Sequence, residues 1–241
     1  MVNNMIDIHT HILPALDDGS SNVEESIKML GMLSNQGVGT VVATPHFYID
    51  EMEPESFLKL RDESVTKLKE ALKDDLSRPQ IALGAEFQFY SELYSLDCIE
   101  DFCISGTNYI LVEMPFTPWT KYTYQALEYL YTSRNIVPII AHLERYLECQ
   151  NDAETIFKLK EAHALIQISS DYFLNKSTKR KAINLFKKDA VQFIASDAHD
   201  TTIRPPIVSN AVDIVRKKLG DRGMEVLMFW EEKLLDNIIT F

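Results

Sequence analysis

The chain has 241 residues, 46% hydrophobic and 25% charged, a balance that excludes a disordered or fibrous protein and suits one large α/β domain. Its 36 acidic residues outnumber 24 basic ones for a formal charge of −12, which argues against nucleic acid as a partner, because polyanion binders carry a basic footprint. Cys98, Cys103 and Cys149 form an odd set without a C-x-x-C pair, so a reducing compartment without a disulfide framework is expected. The first Lys or Arg is Lys28, and no apolar run approaches the roughly 18 residues that span a bilayer. Neither a signal peptide nor membrane insertion is expected, and the expected location is the cytoplasm.

In chain order, short runs rich in β-branched residues alternate with segments of helical period, the pattern of a parallel sheet with crossover helices. The runs lie at 5–9, 39–44, 81–86, 109–113, 137–142, 165–169 and 191–197. Between the first two, 22–36 reads as a helix. Asn22 and Glu25 suggest a capping box, Val23, Ile27, Leu30 and Leu33 recur at helical spacing, and Gly37 ends it. Further amphipathic segments fall at 54–76, 122–133, 153–162 and 178–188, and two helices are expected at 207–219 and 222–238. No linker rich in Gly, Pro or Ser interrupts the alternation. The expectation is a single domain over 1–241 with a (β/α)7 barrel in preference to an open sheet.

Five of the six histidines, His9, His11, His46, His142 and His199, fall at or just past the carboxyl end of a predicted strand, whereas His163 lies on a predicted helix and reads as structural. In a β/α barrel those strand ends converge on one face, where active sites are built. Glu86, Glu113 and Asp197 share this placement. A carboxylate ending a buried apolar strand is costly without a cation or donors, and neighbouring imidazoles make a divalent metal an economical partner. Alternate residues of a strand share a face, so His9 with His11, and Asp197 with His199, suit chelation as pairs.

Other residues allow two readings. Asp17-Asp18-Gly19 reads first as a turn before a helix. Arg145 and Arg204 are either surface charges or, following ligand-bearing strand ends, guanidinium groups facing an anionic substrate. Phe47, Tyr48, Phe116, Trp119 and Tyr122 either cap the core or form a slot for an aryl group.

Taken in order, Ile6-Asp7-Ile8-His9-Thr10-His11 with Asp17-Asp18-Gly19, Thr44-Pro45-His46, Gly84-Ala85-Glu86, Ala141-His142-Leu143-Glu144-Arg145-Tyr146 and Ser196-Asp197-Ala198-His199 resemble the polymerase-and-histidinol-phosphatase (PHP) superfamily. Within it the chain is similar to the bacterial manganese-dependent protein-tyrosine phosphatases of capsule and exopolysaccharide operons. The resemblance implies a distorted (β/α)7 barrel with three divalent metal ions, manganese first and iron or zinc as alternatives. Carried onto this chain, it implies one ion held by His9, His11, Glu86 and Asp197, and a second sharing Glu86 with Glu113 and His142. The third would use Asp18, His46 and His199, with Arg145 and Arg204 gripping the phosphate. The implied partner is the tyrosine-phosphorylated tail of a bacterial autokinase controlling polysaccharide export. Phe87-Gln88-Phe89 and Met114-Pro115-Phe116 map to no family role, which leaves peptide specificity open.

Such a site suits in-line attack of an activated water on a phosphate monoester, with His46, His199 or a metal assisting the departing oxygen. A cysteine-dependent tyrosine phosphatase is excluded, since the sixth residues after Cys98, Cys103 and Cys149 are Ile104, Tyr109 and Thr155 rather than arginine. Three rivals stay open: a small-molecule PHP phosphatase such as one for histidinol phosphate, an amidohydrolase, and a metal-stabilised module that docks on a kinase without turnover.

Overall fold

A computed structural model describes residues 5–73 and 77–241. Its elements are β1 (Met5–Thr10), α1 (Val23–Asn35), β2 (Val38–Ala43), β3 (His46–Phe47), α2 (Pro54–Leu72), β4 (Gln80–Leu83), β5 (Glu86–Gln88), β6 (Tyr109–Glu113), α3 (Lys121–Arg134), β7 (Val137–Ile140), α4 (Asp152–Glu161), β8 (Leu165–Ser169), α5 (Ser170–Leu174), α6 (Lys179–Lys187), β9 (Phe193–Ala195) and α7 (Ser209–Leu235). The predicted runs are all present as strands, with two changes in the middle of the sheet. Pro45, which lacks an N–H for the ladder, separates β2 from a short extra strand β3, and Gly84-Ala85 divides the run at 81–86 into β4 and β5.

These breaks yield two sheets, β1-β2-β4 and β3-β5-β6-β7-β8-β9, and neighbouring strands within each pair in parallel. The Gly84 N–H donates to Ala43 O and the Glu86 N–H to Pro45 O, so the chain carries hydrogen bonding across both breaks. At the far margin the Asp197 N–H donates to His9 O at 2.9 Å and the His11 N–H to Ala198 O at 2.8 Å, which sets the end of the last strand run beside the first. The fold is thus mixed α/β with a curled parallel sheet, and the seven-unit expectation is met to that extent.

The hydrophobic pattern divides into two cores. One fills the space between strands and helices, and includes an aromatic group in which Phe47 lies 5.0 Å from Phe87 and 4.5 Å from Phe102, ring centre to ring centre. The other joins Ile6, Ile8, Leu111, Ile139 and Phe193 to Leu234 of α7. Phe87 and Met114, which had no assigned role, are both core residues.

Helix ends follow local chemistry with small departures. The Asn22 side chain accepts the Glu25 N–H at 3.0 Å, but the Glu25 carboxylate turns to Ser21 instead of returning to Asn22, so the capping box is half formed. The helix expected at 54–76 is described to Leu72, and 74–76 lie outside the described residues. The two helices expected at the end of the chain are both present within α7, which breaks between them at Gly220, where φ of 59° and ψ of −148° are not helical. The short α5 and the 3-10 turn Leu143–Arg145 were not anticipated, being too brief to carry a helical period. No helix among the described residues is long and apolar enough to cross a membrane.

Candidate metal centre

The strand-end histidines and acids converge. The Nε2 atoms of His9 and His11 lie 3.2 Å apart. Glu86 Oε2 lies 3.1 Å from His9 Nε2, 3.3 Å from His11 Nε2 and 3.0 Å from His46 Nδ1. Asp197 Oδ1 is 3.4 Å from His9 Nε2 and 3.6 Å from His11 Nε2. Three sets of donor atoms come close enough to hold an ion, namely His9, His11, Glu86 and Asp197; His11, Asp18, His46 and His199; and His46, Glu86 and Glu113.

The first set is the one expected from the sequence, and the second adds His11 to the expected Asp18, His46 and His199. In the third, His46 stands where His142 was expected. His142 Nε2 remains close, 2.7 Å from Glu86 Oε1 and 3.9 Å from Glu113 Oε1. Two of the residues hold left-handed backbone, His142 at φ 31° and Asp197 at φ 54°, a conformation unfavourable for side chains with a Cβ and concentrated at functional sites.

Whether this donor set fits metal can be judged from its polar atoms. Glu86 Oε2, Asp197 Oδ1, His46 Nδ1 and His199 Nε2 are all buried without a hydrogen-bond partner, although they sit next to one another. Such orphans are costly unless a cation meets them. The opposite ring nitrogens are anchored outside the cluster. His9 Nδ1 faces Gln167 Oε1 at 3.3 Å, His11 Nδ1 faces Asp17 Oδ2 at 2.7 Å, His142 Nδ1 faces Tyr146 Oη at 3.2 Å and His199 Nδ1 faces Asp197 O at 3.0 Å. With a proton on each Nδ1, the four Nε2 lone pairs all turn inward, which is how ligating histidines are oriented. The donor chemistry fits divalent ions.

Proton affinities point the same way. Burial pulls His46 and His142 below the ordinary imidazole range and His199 down to about 4, so their lone pairs are free at neutral pH. Burial opposes ionisation of Glu86 and Asp197, but the charge of His9 and the neighbouring His11 outweigh it and hold both well below the usual carboxylate range. Those same carboxylates raise His9 and His11 against the cost of burial, with Asp17 the main influence on His11. A positive charge is demanded here, whether proton or metal. Glu113 differs, since burial and the neighbouring Glu86 push it up to about 7.

Arg145 and Arg204 approach the cluster from another side. The Arg204 guanidinium donates to Asp197 Oδ2 at 2.7 Å, and Arg145 donates to the same oxygen, while Asp197 Oδ1 faces the histidines. His163 lies apart, just past α4 and stacked 4.1 Å from Tyr131, in keeping with a structural role.

Several residues of this centre escaped the sequence reading. Asp17, read as part of a turn, accepts from His11 Nδ1 and from the His46 N–H; Gln167 Oε1 accepts the His142 N–H at 2.7 Å; and the Tyr146 hydroxyl takes the Met114 N–H at 2.9 Å. Gln167 left one signal, being the lone amide in the apolar run Leu165–Ser169. The aromatic loop residues separate by burial. Phe47 and Trp119 are core, Phe116 and Tyr122 are 57% and 65% exposed, and Tyr48 is half-buried beside His46.

The chain is 32% identical to the tyrosine-protein phosphatase YwqE of Bacillus subtilis (strain 168) over 243 residues, covering 98% of this chain and 94% of the relative. A crystal structure from work on YwqE of Bacillus subtilis and CpsB of Streptococcus pneumoniae, described as metal-dependent tyrosine phosphatases, is similar with a TM-score of 0.84 at 30% identity, covering 98% of this chain and 96% of that one. Histidinol phosphate phosphatase from Lactococcus lactis shares the fold, with a TM-score of 0.55 at 14% identity and 94% of each chain covered. Residues 5–235 match the family described as capsular polysaccharide synthesis, CpsB/CapC, and the chain belongs to that family.

Proposed function

We propose that the chain is a metal-dependent phosphoric monoester hydrolase that dephosphorylates protein tyrosine in capsular polysaccharide synthesis. The observation that carries this reading is the inward turn of the anchored His9 and His11 imidazoles onto the unpartnered Glu86 Oε2 and Asp197 Oδ1, with His142 on the other Glu86 oxygen, His199 beside Asp18 and two guanidinium groups alongside. The family relatives support the substrate class, being tyrosine-protein phosphatases.

The finer reading has three divalent ions, manganese by preference, held by His9, His11, Glu86 and Asp197, by Glu86, Glu113 and His142, and by Asp18, His46 and His199. When bound, such ions neutralise phosphate charge and make water a better nucleophile. Arg145 and Arg204 bind the non-bridging phosphate oxygens and stabilise the charge that builds on them during transfer. His46, His199 or a metal assists the departing tyrosyl oxygen, and His46 is the more open of the two histidines. Its side chain is 14% exposed, whereas those of His9, His11 and His142 are fully buried. His199 backs it from across Asp18, with His199 Nε2 at 3.3 Å and His46 Nε2 at 3.5 Å from Asp18 Oδ1.

In this reading residues 1–241 form one domain whose sheets make a distorted (β/α)7 barrel. Hydrogen bonds from the Asp197 and His11 N–H groups, which tie the last strand run to the first, support it. The substrate is the phosphorylated tail of a bacterial tyrosine autokinase, met in the cytoplasm. The test is to strip the full chain of metal, reload it with manganese and compare hydrolysis of phosphotyrosine, phosphoserine and histidinol phosphate. Metal-dependent preference for a phosphotyrosine peptide is the expected result. Preference for histidinol phosphate, or absence of turnover with metal bound, overturns the reading.

A further inference from the structure

A cavity of about 380 Å³ opens beside the metal centre and is not used by it. His46 and Asp18, both candidate ligands, form its inner wall. From there the lining changes character. The Tyr48 ring stacks on the His46 imidazole, 5.3 Å between centres and 20° from parallel, and Leu16 and Met52 continue the apolar surface outward. Phe47 and Phe57 make the floor, 5.0 Å apart and both packed on Phe102, so the floor is held by the core beneath. An apolar recess with a few polar groups at one end is the usual form of a small-ligand site.

The charges around it have a direction. Arg145 and Arg204 line a different cavity, which shares no lining residue with this one. Besides the Tyr48 phenol, the ionisable groups of the recess are instead His46 and the acids Asp17, Asp18 and Glu51. A phosphate ester at the metal centre is therefore drawn by its anionic end toward the arginines, and its organic end is left facing Tyr48. A second phosphate is disfavoured by the acids, whereas a neutral ring gains a stacking partner.

We propose that this recess is the aryl subsite of the enzyme, in which Tyr48 and Met52 receive the ring of an aryl phosphate ester. The inference rests on the tyrosine-phosphatase reading and adds to it the residues that distinguish an aryl ester from an alkyl one. Among the five loop aromatics, Tyr48 is the one that lines this recess without belonging to the core.

The test uses phosphonates, which bind without reacting, on the full chain loaded with manganese. Benzylphosphonate is expected to bind about tenfold more tightly than ethylphosphonate, and Tyr48→Ala and Met52→Ala to remove most of that preference while Tyr48→Phe keeps it. Manganese affinity, measured in parallel, is expected to be unchanged in all three. Met52 is exposed on a loop, so its variant keeps the test decisive even if Tyr48→Ala does not fold. Equal binding of the two phosphonates by the native chain, an aryl preference that survives Met52→Ala and Tyr48→Ala, or tighter binding of 2-aminoethylphosphonate than of benzylphosphonate overturns the proposal. Hydrolysis is scored separately. An aryl preference that depends on Tyr48 in a protein that turns over no phosphotyrosine would sink the functional reading and leave the subsite standing, and phosphotyrosine turnover without that preference would do the reverse.

Discussion

Replacing Asp17 with Asn tests whether a carboxylate outside the cluster sets the state of a ligand inside it. Asp17 Oδ2 accepts from His11 Nδ1 at 2.7 Å and from the His46 N–H at 3.0 Å, while Oδ1 accepts from the Gly19 N–H at 2.9 Å. Asparagine offers one acceptor oxygen and one donor amide in the same space. With its oxygen toward His11 and His46, the amide opposes the Gly19 N–H. Turned the other way, the amide opposes the His46 N–H and makes His11 Nδ1 the acceptor, which moves the imidazole proton to Nε2, inside the cluster. Each arrangement loses a charge-assisted hydrogen bond and the negative charge that steadies His11. Loss of such an orienting partner typically weakens metal binding about 10- to 100-fold, equivalent to about 1.4–2.7 kcal/mol. A competition titration of manganese against a chelating dye reads this directly, with circular dichroism reporting that the fold is intact. Unchanged manganese affinity in a folded Asp17→Asn protein would refute the claim that Asp17 sets the His11 tautomer.

Three further outcomes are expected. Glu113 has a folded-state pKa of about 7 against an ordinary 4.5, so in the metal-free protein the associated stability is fully present below about 4.5 and is lost as pH rises from there through about 7. This amounts to up to about 3 kcal/mol by linkage. Thermal melts of metal-free Glu113→Gln across that range should show a shallower decline with rising pH than the native chain, and parallel declines would count against the assignment. Arg145→Lys and Arg204→Lys each keep the charge but lose the planar fork, so the inhibition constant of inorganic phosphate should rise about tenfold, and an unaltered constant would remove that arginine from the phosphate site. At Gly19 an added Cβ meets His11 Cβ and the His11 carbonyl oxygen at 2.3 Å each. Gly19→Ala should therefore lower the urea midpoint of the metal-free chain by an amount corresponding to about 1–3 kcal/mol, and a native midpoint would show that the loop yields freely.

Residue type and strand periodicity were enough to pick out most of the residues that the fold brings together in the candidate centre. His9, His11, Glu86, Glu113, His142, Asp197 and His199 were legible because polar groups with ligand chemistry ended apolar runs, and chain order placed those ends on one face of a parallel fold. The runs themselves were legible because a buried strand must be apolar along most of its length, while brief elements such as β3 and α5 carry too few residues to show a period. What only the tertiary structure decided is the orientation of each ligand. Gln167 meets His9 across 158 positions, Asp17 reaches His46 across 29, and Arg145 meets Asp197 across 52, so no local pattern encodes these contacts. The same holds for Tyr48, whose apolar ring reads in the sequence as either core or ligand surface until the fold sets it against His46 beside an open recess. Local sequence prescribes which groups arrive at a strand end, because that follows from periodicity and burial. Which atom of each group faces the centre of the cluster depends on hydrogen bonds and packing between distant segments, and those exist only once the sheet has curled.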